Sequence, residues 1–207
     1  MITTPDQETF RERLKVSLLH AAESVVAEDG LAALQARRIA QAANCSIGTL
    51  YNIFGDIDGL ILAVNERTLH DLGRVLNAVA LRSAPTDTMT RLMALASAYL
   101  DFATANQRRW RSVFEHRLPE DKPAPDSYRD DRRRLLALIE LQLVGVVVDP
   151  GGRSDAAHAL FSAVHGIVLL SLDAKLGPFD PAQCERQIRF IVEHVVRGLG
   201  QAPAHAI

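Results

Sequence analysis

The amino-acid sequence predicts an all-α fold of about nine helices. Apolar residues recur at helical intervals through almost the whole chain, and no useful stretch alternates between apolar and polar residues as a β-strand would. The 207 residues, of which 48% are hydrophobic, suffice for one large domain or for two small domains that share a helix. No internal repeat is evident.

The first predicted helix is long and ends at a glycine. Its apolar residues from Phe10 to Val26 are spaced as one face of a helix requires. Gly30 follows this stripe, and glycine readily adopts the left-handed backbone that closes many helices. We therefore expect the helix to end at Gly30.

Two short helices are predicted next, with a tight turn between them. They cover about 36–43 and 47–53, and Asn44 lies where the turn needs a residue that tolerates left-handed backbone. Ser46 occupies the N-cap position of the second short helix, where a hydroxyl can accept a backbone hydrogen bond. The neighbouring Cys45 is interpreted as a small apolar turn residue.

Six further helices complete the predicted order. They are interrupted by a proline-containing loop at 118–127 and by the segment Asp149-Pro150-Gly151-Gly152. The helices are expected at about 57–82, 88–105, a short stretch after Asn106 that holds Trp110, 128–147, 154–175 and 182–199.

The last two helices are apolar on more than one side and must therefore be buried on more than one side. A partner subunit is one possible cover, and a central position in the core of the monomer is the other. On the first interpretation the chain forms a homodimer. Its interface is predicted to contain Ile188, Val192, Val195 and Leu199.

Composition disfavours several classes of protein. No run of about 18 apolar residues suggests a membrane span, and the N-terminal residues lack the pattern of a secretion signal. Cys45 and Cys184 have no metal-type spacing and fit a reducing cytoplasm. His158 and His165 are too far apart to share a metal ion without other ligands, and no catalytic arrangement suggests an enzyme. We therefore expect a cytoplasmic, non-enzymatic protein without metal or cofactor.

The charge of the chain does not by itself indicate nucleic-acid binding. The formal net charge is −2, and residues 1–54 hold five basic and six acidic side chains. Any affinity for DNA must therefore depend on local placement, with Arg37 and Arg38 as an adjacent basic pair. One member of this pair is expected to belong to a solvated face instead.

The stretch 35–60 has the pattern of a helix-turn-helix. In this motif the N-terminal end of the second helix enters the major groove of double-stranded DNA, and its free backbone N–H groups favour a phosphate. Tyr51 and Phe54 could instead be core aromatics, which is the preferred interpretation for Phe54. The polar side chains available on the second helix are Ser46, Thr49, Tyr51 and Asn52.

The same stretch resembles the signature of the TetR family of repressors. The resemblance rests on Arg38-Ile39-Ala40 and on the run Ser46-Ile47-Gly48-Thr49-Leu50-Tyr51-Asn52-Ile53-Phe54. The layout of a long first helix before this run and about six helices after it is also similar to the family. The resemblance implies an all-helical dimer that binds DNA and releases it when a small molecule enters the C-terminal domain.

The resemblance also implies roles for individual positions. Gln35 stands where the family often caps the second helix and contacts phosphate, and Arg37 where a side chain commonly reaches a base edge. Ile47 and Gly48 begin the recognition helix, while Thr49 and Tyr51 match positions that contact phosphate or the groove. The predicted DNA-binding residues are therefore Gln35, Arg37, Arg38, Ser46, Ile47, Gly48, Thr49, Tyr51 and Asn52.

Two positions depart from the family pattern. Ile53 replaces a frequent histidine, and Ile57 replaces the lysine that usually opens the fourth helix and binds phosphate. Loss of that lysine removes a charge-assisted contact. DNA binding should therefore depend more on Arg37, Arg38 and uncharged donors.

The C-terminal region resembles a subgroup of the family with a Trp in its sixth helix and a His-Gly pair in its eighth, here Trp110 and His165-Gly166. A mid-helix glycine costs roughly 0.5–1 kcal/mol relative to alanine, which close helix approach or room for a ligand would explain. His165 is expected to hydrogen-bond either a ligand or a backbone carbonyl. The predicted pocket for an unknown small-molecule effector is lined by Phe102, Trp110, Phe114, His165 and Leu169.

The predicted organisation is a DNA-binding domain at 1–55 and a ligand-binding and dimerisation domain at 56–207. The predicted function is a sequence-specific transcriptional regulator, a repressor that a small hydrophobic ligand releases from its DNA operator. Its partners would be operator DNA, a second copy of the chain and the effector, with no membrane. The alternative is a helical homodimeric interaction protein whose DNA binding is weak or vestigial.

Overall fold

A computed structural model describes residues 5–82, 87–175 and 177–201. These residues form α-helices and one short 3-10 helix, without a strand in the described ranges, which confirms the all-α prediction. The α-helices are α1 (Pro5–Asp29), α2 (Ala36–Ala42), α3 (Ile47–Phe54), α4 (Ile57–Arg82), α5 (Thr88–Ala105), α6 (Gln107–Glu115), α7 (Asp126–Leu143), α8 (Pro150–Leu172) and α9 (Pro181–Gln201).

The chain divides into two compact units. The first comprises 1–70 and 106–128, and the second comprises 71–105 and 129–207. The continuous helix α4 contributes to both units, and α6 belongs to the first. The functional division at residue 55 that the sequence suggests stays a prediction.

The first unit has a core built from α1 to α4. Leu18, Ile39 and Leu50 are 0% exposed in this core, one from each of the first three α-helices. Helix α6 packs against α1. The Glu23 carboxylate of α1 also accepts a hydrogen bond from Arg67 of α4 at 2.7 Å. The apolar stripe predicted on the first helix therefore faces this core from Leu14 to Val26, whereas Phe10 at its start is 68% exposed.

The second unit is formed largely by α5, α8 and α9, which pack against one another. Helix α8 begins at Pro150, four residues before the predicted start at Ser154. The Asp149 carboxylate accepts a hydrogen bond from the Gly152 N–H at 2.7 Å, and proline suits the first helical position because its missing N–H needs no partner there. The segment interpreted as a break thus consists of the N-cap Asp149 and the first three residues of α8.

The burial of α9 corrects part of the predicted dimer interface. Ile188 and Val192 are 1% and 2% exposed in the single protomer, so their side chains cannot offer a surface to a second copy. For these two positions the second interpretation, burial in the core of the monomer, is therefore the correct one. Val195 and Leu199 are half-buried, and their place in an interface stays a prediction.

Length and hydropathy would also allow α8 to cross a membrane, and the bent pair α3 and α4 meets the same criterion. Core helices of water-soluble proteins commonly pass this test, so it is a weak indication. In this structure α8 packs against α5 and α9.

Candidate nucleic-acid interface

The start of α3 is fixed by its cap and by the turn before it. The Ser46 hydroxyl accepts a hydrogen bond from the Thr49 N–H at 3.0 Å, which confirms the predicted N-cap. The Ser46 and Thr49 hydroxyls also lie 2.8 Å apart. Asn44 has a φ of 52°, the left-handed conformation expected for the turn between α2 and α3. These contacts hold the N-terminal end of α3 in one orientation.

One face of α3 is buried and the other is open. Leu50 is 0% exposed, and Phe54 packs partly against the core, as preferred for that residue from the sequence. Tyr51 is 40% exposed and Ile47 39%. All the predicted DNA-binding residues except the half-buried Thr49 are exposed, namely Gln35, Arg37, Arg38, Ser46, Ile47, Gly48, Tyr51 and Asn52.

A surface cleft lies between α2 and the start of α3. Its lining includes Arg37, Gln41, Asn44, Ser46 and Ile47, so the structure brings Arg37 together with the N-terminal end of α3. A guanidinium, an amide and free helix N–H groups in one concave surface suit phosphate oxygens and base edges. This placement supports a DNA contact at Arg37, which stays a prediction.

Gln35 departs from the capping role that the family resemblance implies, and Arg38 has an acidic partner. Gln35 occupies the N-cap position of α2, but no capping hydrogen bond from its side chain is found among the described contacts. The Arg38 guanidinium lies 2.7 Å from the Asp29 carboxylate. Gln35 therefore does not cap through its side chain, and Arg38 is the member of the basic pair that is bound to an acidic neighbour.

Sequence reasoning missed Arg11 of α1. Its guanidinium donates a hydrogen bond to the Asn52 carbonyl of α3 at 3.1 Å, 41 positions along the chain. An arginine on the exposed side of an amphipathic helix carries no sequence signal for such a partner. Arg11 adds a positive charge beside the recognition helix.

The residues predicted to line a ligand pocket lie in different units. Trp110 and Phe114 belong to the first unit, where their ring centroids are 5.5 Å apart and Trp110 is 1% exposed. Phe102, His165 and Leu169 belong to the second unit. The assignment of all five to one pocket stays a prediction.

In the second unit His165 has a side-chain partner. Its Nδ1 lies 2.7 Å from the Tyr99 hydroxyl, a different partner from the backbone carbonyl considered from the sequence. The Phe161 ring stacks on the imidazole, with the two ring centroids 5.6 Å apart. Burial lowers the pKa of His165 below its ordinary value, which favours the neutral imidazole. A neutral imidazole and a phenol among aromatic rings can bind a molecule that is mostly apolar with one polar group.

No three His, Cys, Asp or Glu side chains within the described ranges come close enough together to hold a metal ion. Cys45 and Cys184 are both free cysteines.

Comparison with known proteins identifies the family of the chain. Residues 18–64 match the family described as bacterial regulatory proteins, tetR family. Residues 92–195 match the family described as Tetracyclin repressor-like, C-terminal domain. The first match contains the helix-turn-helix, and the second extends from α5 into α9.

Individual relatives agree with this result. The HTH-type transcriptional regulator BetI of Paraburkholderia phytofirmans is 32% identical over 92 residues, which are 44% of this chain and 47% of the relative. The match thus spans about half the length of the curated relatives. A protein of unknown function from Rhodococcus sp. RHA1 has a TM-score of 0.73 at 25% identity, covering 91% of this chain and 96% of that one.

A second similar structure is RolR in complex with resorcinol. Its TM-score is 0.65 at 17% identity, with 97% of this chain and 99% of that chain covered, so the likeness concerns the fold. The role of the chain rests instead on the two family matches, because members of that family are DNA-binding transcriptional regulators with a ligand-binding domain and not enzymes, in agreement with the class that the sequence predicts. The helix-turn-helix geometry and the matches to both family domains show that the chain belongs to the TetR family of transcriptional regulators.

Proposed function

We propose that this protein is a homodimeric repressor that binds an operator through α3 and leaves it when a small, mostly apolar molecule occupies the second unit. The observation that carries the proposal is the open face of α3. Its N-terminal end is fixed by Ser46, and Tyr51 and Asn52 remain exposed. A short helix with a rigid polar end is what major-groove recognition requires.

The proposed dimer uses the outer face of α8 and α9. Phe190 is 62% exposed and Leu170 42%, and both line a largely apolar groove together with Ile167 and Ile191. Exposed apolar residues grouped on two neighbouring helices favour association with a second copy. A two-fold dimer would present two copies of α3, with half-site centres about 34–36 Å apart or a multiple of that distance.

The proposed effector site centres on Tyr99 and His165 of α5 and α8. The two side chains provide a hydroxyl and an imidazole next to Phe161, and Phe102 and Leu169 add apolar surface to the same unit. A small aromatic molecule with a hydroxyl group fits this chemistry. The ligand of RolR, resorcinol, is of that kind and is a suitable first probe.

Release of DNA would follow from a difference in ligand affinity. A ligand that binds more tightly to the conformation with unsuitable spacing of the two α3 helices shifts the population away from the DNA-binding conformation. A ligand with equal affinity for both conformations would release nothing. We place this activity in the cytoplasm, where free thiols such as Cys45 and Cys184 stay reduced.

The test is selection of DNA by the full-length protein from a random-sequence duplex library. We expect enrichment of a palindromic sequence, its protection from nuclease digestion, and lower expression of a reporter placed behind it. Activation of the reporter would overturn the repressor assignment. Failure to enrich any duplex would favour a helical interaction protein with vestigial DNA binding.

The effector is tested separately, by adding hydroxylated aromatic compounds, starting with resorcinol, to the protein–DNA complex. If these compounds release DNA from the wild-type protein and not from the Tyr99→Phe variant, the result would support the effector site proposed at Tyr99 and His165. Equal release from both would show that the hydroxyl of Tyr99 does not bind the effector.

A further inference from the structure

The joint between α3 and α4 is very tight. Only Gly55 and Asp56 separate the two helices, and Gly55 has a φ of 84°. A Cβ at Gly59 would lie 2.0 Å from the Phe54 carbonyl oxygen, so the first turn of α4 contacts the end of α3 directly. The orientation of the recognition helix therefore depends on how the first residues of α4 are held.

Two acidic side chains lie at the start of α4. The Asp56 carboxylate caps the helix by accepting a hydrogen bond from the Gly59 N–H at 2.8 Å, and Asp58 follows within the helix. Uncompensated, these two carboxylates would repel each other and also the phosphates of a DNA duplex. The structure compensates them with a lysine from a distant segment.

Lys122, in the loop between α6 and α7, reaches both carboxylates. Its ammonium donates to the Asp56 carboxylate, 66 positions away in sequence, and its Nζ lies 3.6 Å from Asp58. The hydrogen bond from Lys122 lowers the pKa of Asp56, which keeps this pair ionised. The Nε2 of His116, at the end of α6, lies 3.4 Å from the Asp58 carboxylate without a hydrogen bond, and burial lowers the pKa of His116, which favours the neutral imidazole. The charge compensation therefore comes from Lys122.

The segment that supplies these two residues is itself anchored. Helix α6 packs against α1, and the Glu23 carboxylate of α1 lies 3.8 Å from the Arg109 guanidinium of α6. All these residues belong to the first compact unit. Lys122 therefore connects the segment that follows this anchored helix to the joint that carries the recognition helix.

We propose that Lys122 acts as a clamp that holds the α3–α4 joint in the orientation that binds DNA. It is a positioning residue, since it acts through Asp56 and Asp58 and need not touch DNA. The inference rests on the proposed operator binding and adds a residue that lies outside the helix-turn-helix.

The clamp and simple electrostatics predict opposite effects for Asp56→Asn. Asparagine caps a helix about as well as aspartate, so the helix start is preserved while the partner charge of Lys122 is lost. If Asp56 were only a negative charge near DNA, its removal would tighten binding. If it holds the clamp, its removal weakens binding by about two- to fivefold, the range expected for an exposed ion pair.

The experiment measures the dissociation constant for a duplex that the wild-type protein selects from a random library, using Asp56→Asn, Lys122→Met and the double variant. The clamp predicts that each single variant weakens binding and that the double variant is no weaker than Lys122→Met, which by itself also loses the contact with Asp58. Lys122→Arg should restore most of the affinity. Lys175→Met removes an equal charge from the second unit and is the matched control. Tighter binding by Asp56→Asn, or additive losses in the double variant, would overturn the proposal.

A second measurement does not depend on DNA. Hydrogen exchange at the amides of residues 54–60 should be faster in Lys122→Met than in Lys175→Met, with thermal midpoints alike. If no duplex is enriched, the proposed function fails while the exchange rates still decide whether the clamp exists. Equal exchange in the two variants would show that Lys122 does not hold the joint.

Discussion

Asn65 of α4 and Ser112 of α6 form a reciprocal hydrogen-bonded pair that is fully buried. The Asn65 amide donates to the Ser112 carbonyl oxygen at 3.1 Å, and the Ser112 hydroxyl donates to the Asn65 side-chain oxygen at 2.7 Å. Both residues are 0% exposed. Burial of polar groups is tolerated because each is satisfied by the other, and the pair fixes one alignment of α4 against α6.

Ser112→Ala should destabilise the protein by about 1–3 kcal/mol, because it leaves the buried Asn65 oxygen without its donor. The free energy of unfolding from urea titration is the measurement. Ser17→Ala on the exposed side of α1 is the control and should change stability by less than about 0.5 kcal/mol. Equal effects of the two substitutions would contradict the role assigned to the pair.

Tyr51→Phe should weaken operator binding by about two- to tenfold, since it removes one hydrogen-bonding hydroxyl from the exposed face of α3. Its thermal midpoint should stay close to that of the wild type. Leu50→Ala at the neighbouring buried position should instead cost about 2–5 kcal/mol of stability. Unchanged affinity in the Tyr51→Phe protein would show that the Tyr51 hydroxyl does not contact DNA and that this residue has a packing role.

Ile57→Lys should steepen the salt dependence of DNA binding by about one phosphate contact. Ile57 packs partly against the core of the first unit, so the substitution should also lower stability. Ile57→Met keeps an apolar side chain and serves as the control for packing. An unchanged salt slope would show that this position does not lie beside the DNA backbone.

Local features of the helix-turn-helix could be predicted because they depend on neighbouring residues. The cap at Ser46 and the left-handed turn at Asn44 follow from residue types and spacing alone. Periodicity also identified the apolar stripe of α9, but it could not tell which neighbour covers Ile188 and Val192. The contact of Lys122 with Asp56 spans 66 positions and leaves no periodic signal.

Phe190→Glu should dissociate the proposed dimer, because it places a charge in the exposed groove between α8 and α9. Sedimentation at micromolar concentration should then show a folded monomer with weaker operator binding. Val192→Glu, only two positions further along α9, places the charge in the core and should unfold the protein. If the Phe190→Glu protein remains dimeric, the dimer interface lies on another surface.

Stability should fall as the pH drops below about 6.5, the ordinary pKa of histidine. Burial lowers the pKa of His165 and of His116, so the unfolded chain takes up protons before the folded one. Their contribution is present above that pH and is lost progressively below it. His165→Gln should reduce the proton uptake on unfolding, by at most about one proton.

The contact between Gly59 and the Phe54 carbonyl limits how this protein can diversify. Any side chain at position 59 would collide with backbone, so only glycine is compatible with the joint. The exposed positions of α3, such as Tyr51, carry no comparable restriction. Changes in operator preference during evolution should therefore accumulate on the surface of α3, while the angle at which that surface meets DNA is inherited unchanged.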